Sequence, residues 1–114
     1  MATAYKVLGQ SNPSAATLTT LYTCPASKET VISTVVVANQ AGTSGTYRIA
    51  VRPNGAAIST EHYLVYEATI AANSTVAYTI GITMDASDVL SIQGSSANFS
   101  FNACLLYTSD AADE

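Results

Sequence analysis

Apolar and polar side chains alternate along much of this chain with the two-residue period of a strand. From Ser74 to Met84, Val76, Tyr78, Ile80, Ile82 and Met84 occupy one set of positions and Thr75, Ala77, Thr79, Gly81 and Thr83 the other. Successive strand side chains point to opposite faces, so the run predicts a half-buried antiparallel strand. Gly81 in its middle marks a bulge or a bend. Gly45 to Pro53 reads the same way, with Tyr47, Ile49 and Val51 inward and Thr46, Arg48 and Arg52 outward. His62 to Ile70 places Tyr63 and Val65 on one face, and Leu64, Tyr66 and Ala68 on the other. Glu29 to Asn39 holds Val31, Ile32, Val35, Val36 and Val37, a more continuous β-branched run that suits a central strand.

Shorter candidates are Ala4–Gln10, Leu18–Thr23, Val89–Gly94 and Asn98–Phe101. Turn chemistry separates the runs, at Asn12-Pro13-Ser14, Pro25-Ala26-Ser27, Ala41 to Gly45, Pro53-Asn54-Gly55, Ala71 to Ser74, and Asp85 to Asp88. No stretch keeps apolar residues at helical spacing for more than about two turns. The pattern predicts an all-β fold, an antiparallel β-sandwich of about eight strands with jelly-roll-like or immunoglobulin-like topology.

Composition narrows the function classes. The chain has 114 residues, 48% hydrophobic and 11% charged, with a formal net charge of −4. That length holds one domain. Four basic residues cannot neutralise a row of phosphates, so nucleic acid is a poor partner. Disordered chains are poorer in hydrophobic residues than this one. No apolar run reaches the roughly 20 residues of a membrane-spanning helix, and Met1 to Lys6 lacks the order of a secretory signal.

The C-terminus breaks the pattern. Cys104 to Glu114 carries three of the eight acids and one of the two cysteines. These residues resemble the translation of a transposon-end adapter used in preparing sequencing libraries, with an ordinary acidic tail as the alternative. The adapter reading divides the chain into a C-terminally truncated β-sandwich domain, 1–103, and an artefactual 104–114. The closing strand from Asn98 then stops in mid-run. Residues 1–103 hold four bases against five acids, so the domain's net charge is −1.

Candidate chemistry is sparse. His62 is the only histidine, and on a strand its neighbour Glu61 would face the other way. Asp85 and Asp88 lack the ligand ladder of a calcium loop and suit turn capping better. Cys24, without Cys104, has no partner and reads as a small buried apolar residue. Asn73-Ser74-Thr75 and Asn98-Phe99-Ser100 match the glycosylation sequon weakly. Tyr47 and Tyr78 read as core. The candidate interaction surface is Arg48, Arg52, Tyr63 and Tyr66: the arginines share a strand face, and an exposed tyrosine suits sugar stacking or subunit packing. No catalytic residue, cofactor or metal ligand is assigned.

Several blocks carry a resemblance. They are Tyr5 to Gln10, Leu21 to Ala26, Thr46 to Pro53 with Gly55-Ala56-Ala57, Ile70 to Ser74 with Gly81-Ile82-Thr83, and Asp88-Val89. Together they resemble small virion structural proteins of tailed bacteriophages, especially those of marine cyanobacteria and other marine bacteria. Such proteins typically have Val where Cys24 stands and Gly where Ser27 stands. The resemblance implies a non-enzymatic component repeated on the virion, at head, neck, tail or fibre, whose partners are other virion proteins and further copies of itself. Low charge and many small side chains suit that role, and so do edge strands with few charges to prevent pairing. The alternative function is a carbohydrate-binding β-sandwich that recognises a host surface glycan through Tyr63 or Tyr66.

Overall fold

A computed structural model describes residues 6–79 and 81–110, with side chains from 9 to 104. Tyr5, Ile80 and residues 111–114 of the acidic tail lie outside the described residues. Among the described residues nine strands follow one another: β1 (Lys6–Ser11), β2 (Thr19–Thr23), β3 (Lys28–Asn39), β4 (Gly45–Arg52), β5 (Tyr63–Ile70), β6 (Ser74–Tyr78), β7 (Ile82–Met84), β8 (Val89–Gly94) and β9 (Phe99–Asp110). They form two antiparallel sheets. The first has the order β1-β9-β3-β6, with β7 also paired to β3, and the second has the order β2-β8-β4-β5.

The pairing is nested. β1 pairs with β9, β2 with β8, β3 with both β6 and β7, and β4 with β5. A long antiparallel ribbon folded at β4–β5 and rolled up gives this order, so the sandwich follows the jelly-roll pattern and not the immunoglobulin one. The predicted Ser74–Met84 strand becomes two short strands. Gly81 takes φ +63°, a left-handed conformation glycine adopts without steric cost, and both halves return to the same partner, β3.

The inward positions of the two sheets make one core. Ile32, Val35, Val37, Phe99 and Phe101 of the first sheet meet Tyr47, Ile49, Leu90 and Ile92 of the second, all buried. Val76, Tyr78 and Val51 pack against this cluster from its margin, as the alternation predicted. The hydroxyls of Tyr47 and Tyr78 hydrogen-bond to each other. Burial and that bond push the Tyr47 phenol well above its ordinary pKa. Asn39 is buried with its amide spent: it donates to the carbonyl oxygens of Thr43 (2.9 Å) and Ala71 (3.2 Å) and accepts from the Ala41 N–H (3.0 Å). That bonding ties the loop after β3 to the end of β5. Where β1 crosses toward β2 the chains nearly touch, and a Cβ at Gly9 would lie 2.1 Å from the Leu21 carbonyl oxygen.

The closing strand continues past Ala103. β9 pairs along β3 as far as Lys28↔Asp110. The 12-residue β3 offers partners to Cys104, Leu105 and Tyr107 through Asp110, with Leu106 skipped at a register shift. Among the described residues, the edges of both sheets are bulged or short. Register shifts interrupt β1 at Val7/Gly9, β2 at Thr20/Tyr22, and β5 at two places, while β6 and β7 are separated by the break near Gly81. Bulges and short edge strands block edge-to-edge pairing. Backbone irregularity thus guards these edges in a way that a count of charges misses.

Candidate functional site on the outer face of the second sheet

Arg48 lies on β4 between buried Tyr47 and Ile49, so alternation sends its side chain to the outer face. The partner strand is less regular. From Tyr47↔Ala68 to Ile49↔Val65, β5 advances three residues while β4 advances two, and from Ile49↔Val65 to Ala50↔Tyr63 it advances two against one. Each extra residue is a bulge. Glu67, in the first, takes φ +53°.

The bulges change the faces of β5. A regular strand would put Tyr63 and Tyr66 on opposite sides, with Ala68 beside Tyr66. Instead Ala68 packs on the core along with Val65. Tyr63 and Tyr66 come together, ring centroids 5.0 Å apart and planes at 74°. A period-two reading loses its phase at every bulge, and that is why the sequence-based assignment of these three residues fails.

The Arg48 guanidinium carbon sits 4.4 Å from the centroid of Tyr66 and 5.7 Å from that of Tyr63, within the range of a cation–π attraction. Its Nη1 donates to the Tyr63 hydroxyl at 3.5 Å, and its Nε donates to Glu67 Oε2 at 2.5 Å. Glu67 Oε1 accepts from the Thr46 hydroxyl at 3.2 Å. The bond from Arg48 holds the Glu67 carboxyl below the usual carboxylate range, and the same bond raises the guanidinium. Glu67 is solvent-exposed, so the pair contributes little to stability. Its role is to fix the guanidinium. Arg48, Thr60, Tyr63 and Tyr66 line an open concavity of about 430 Å3, and Tyr66 stays 60% exposed.

Arg52 shares this face but is committed elsewhere. Its Nε donates to Ser91 Oγ (3.1 Å) and its Nη1 to the carbonyl oxygens of Ala56 (2.9 Å) and Gly55 (3.4 Å), fastening the 53–56 turn to β8. The structure thus brings together three of the four predicted surface residues. Sequence reading placed Thr46 outward beside Arg48 but missed Glu67 and Thr60, whose approach to Arg48 depends on the bulge and on the 3-10 turn.

The remaining candidates have local roles. Glu61 and His62 lie on a 3-10 turn, Thr60–His62, and not on a strand, which corrects the expectation that they face apart. Glu61 accepts from Ser59 Oγ at 2.7 Å, and His62 Nδ1 accepts from the Ser59 N–H at 3.1 Å. Asp88 accepts from the N–H groups of Asn54 and Asp85, both at 2.9 Å, and Asp85 accepts from that of Ala86 at 2.8 Å, so these carboxylates cap turns. Cys24 is fully buried, its sulfur 3.3 Å from the Thr30 hydroxyl. Burial pushes its thiol pKa up. No family model matches the chain, and neither a curated protein nor a solved structure matches it.

Proposed function

We propose that this protein is a non-enzymatic structural component of a bacteriophage virion, repeated on the particle and held there by face-to-face burial. The observation that carries the reading is the set of blocks resembling virion proteins of tailed phages, which run through β1, β2, β4 and the β5–β6 turn.

The outer face of the first sheet supplies a matching surface. Across it run Gln10, Asn102, Val36 and Ala77 in one row and Ser100, Ala38 and Thr75 in the next, with Thr34 beside Cys104. None of these nine side chains carries a formal charge at neutral pH, and the charged residues of β3, Lys28 and Glu29, stand at its far start. Short side chains lose little entropy on ordering. Asn, Gln, Ser and Thr donate and accept alike, so such a face is complementary to itself and a second copy is its natural occupant. Irregular edges favour burial of a face over strand addition.

Mass spectrometry of purified particles is expected to find the chain, and a particle reconstruction to show the first sheet facing a neighbouring subunit. Val36→Glu or Ala77→Glu is expected to fold and yet fail to enter particles. Absence of the chain from purified particles would refute the proposal.

A further inference from the structure

We infer that the concavity between Arg48, Thr60, Tyr63 and Tyr66 binds a neutral pyranose, such as the terminal sugar of a glycan. It lies on the second sheet, away from the face assigned to subunit packing, so the two proposals stand or fall separately.

A pyranose presents a patch of C–H groups bounded by hydroxyls. It needs an apolar ring to lie against and, at the rim, groups that donate and accept hydrogen bonds. The concavity offers both. The Tyr63 and Tyr66 rings stand at 74° to each other and form two of its walls, and Tyr66 presents most of its surface to solvent. Hydroxyls of Thr60, Tyr63 and Tyr66 donate and accept, and the guanidinium donates. Its volume, about 430 Å3, falls in the range of small-ligand sites, about 300–1,000 Å3.

The arrangement is fixed before any ligand arrives. Arg48 is held by Glu67 on one side and reaches the Tyr63 hydroxyl on the other, and Glu67 is itself braced by Thr46. Preorganised groups lose less freedom on binding. The same clamp argues for an uncharged ligand. Arg48 already carries a carboxylate partner, so an acidic sugar would compete with Glu67 and meet its charge. A second copy of the chain, or another protein, is the competing occupant.

The test is a titration of the isotope-labelled full chain, followed through its backbone amide signals. The probes are the methyl glycosides of β-galactose, β-glucose and α-mannose, with N-acetylneuraminic acid as the charged probe. Saturable shifts at residues 48, 60, 63, 66 and 67 with at least one neutral glycoside are expected, and weaker or no binding of the acid. Tyr66→Ala should weaken binding at least about tenfold, equivalent to about 1.4 kcal/mol, and Tyr66→Phe, which keeps the ring and loses one rim hydroxyl, should weaken it less. Thr60→Lys, on an exposed loop, should block the concavity with the fold intact. No saturable shift with any neutral glycoside would overturn the inference, as would preferential binding of the acid. Sugar-free shifts at these residues that grow with protein concentration would also overturn it, because they would show a second copy covering the site.

Discussion

Ser27→Gly should stabilise the fold, and the gain can be worked from the turn between β2 and β3. Lys28 N–H donates to the Pro25 carbonyl at 3.2 Å, closing a four-residue turn with Ser27 third. Ser27 has φ +66°, so the turn is of the kind that calls for glycine at that position. A side chain in the left-handed region costs about 1–2 kcal/mol. Glycine removes that strain but loses about 0.5–1 kcal/mol more backbone entropy on folding. The difference leaves a net gain of about 0.5–1 kcal/mol. Ser27 is exposed, so no core packing complicates the balance. For a domain of this size the gain corresponds to roughly 2–8 °C in Tm. In urea, with m near 1.5 kcal/mol/M, it corresponds to a midpoint raised by roughly 0.5 M. Far-UV circular dichroism against urea measures both midpoint and slope. Ser27→Ala keeps the Cβ and serves as the control, expected to show no gain. A Ser27→Gly midpoint at or below that of the parent with m unchanged, or an equal gain from Ala, would refute the reasoning.

Three further outcomes follow from the geometry. Gly9→Ala forces a Cβ to 2.1 Å from the Leu21 carbonyl oxygen, and the backbone shift it requires should cost about 1–3 kcal/mol in urea unfolding; a neutral result would mean that β1 and β2 do not approach as described. Ellman's reagent on the folded chain should titrate the partly exposed Cys104 quickly and leave buried Cys24 unreacted until denaturant is added, because burial raises the Cys24 thiol and disfavours the reactive thiolate; two fast thiols in the native state would contradict this. Glu67 has its pKa lowered from 4.5 by the bond from Arg48, so the ion pair's contribution is complete above that value and is lost as pH falls through the lower folded value. The Arg48 Nε–H signal in proton NMR should therefore stay in its bonded position from pH 7 to below 4.5 and move only in stronger acid, and Glu67→Gln should abolish that transition.

Much of the fold is legible from residue type alone. Tyr47, Ile49, Val76, Tyr78, Ile82 and Met84 reach the core or its margin because a strand repeats every two residues and a sheet hides one face. Pro25, Asn54, Asn73 and Asp85 mark turns because their side chains or ring prefer turn geometry. The same alternation announces a β-sandwich. Pairing is another matter. Which strand meets which depends on contacts far apart in the chain, such as Lys28 with Asp110 or Gln10 with Asn102, and no local pattern chooses between jelly-roll and immunoglobulin order.

The candidate site divides in the same way. Arg48 on an outward position and a tyrosine-rich β5 could be read from the sequence. That Tyr63 and Tyr66 share a face, that Glu67 clasps Arg48 and that Thr60 closes the wall were decided by two bulges and a loop. A bulge arises where two paired strands differ in length, a property of the pair and of neither strand alone. Local side-chain preference thus determined the strands and their inward faces, whereas tertiary pairing decided their order, their register and the surface they present.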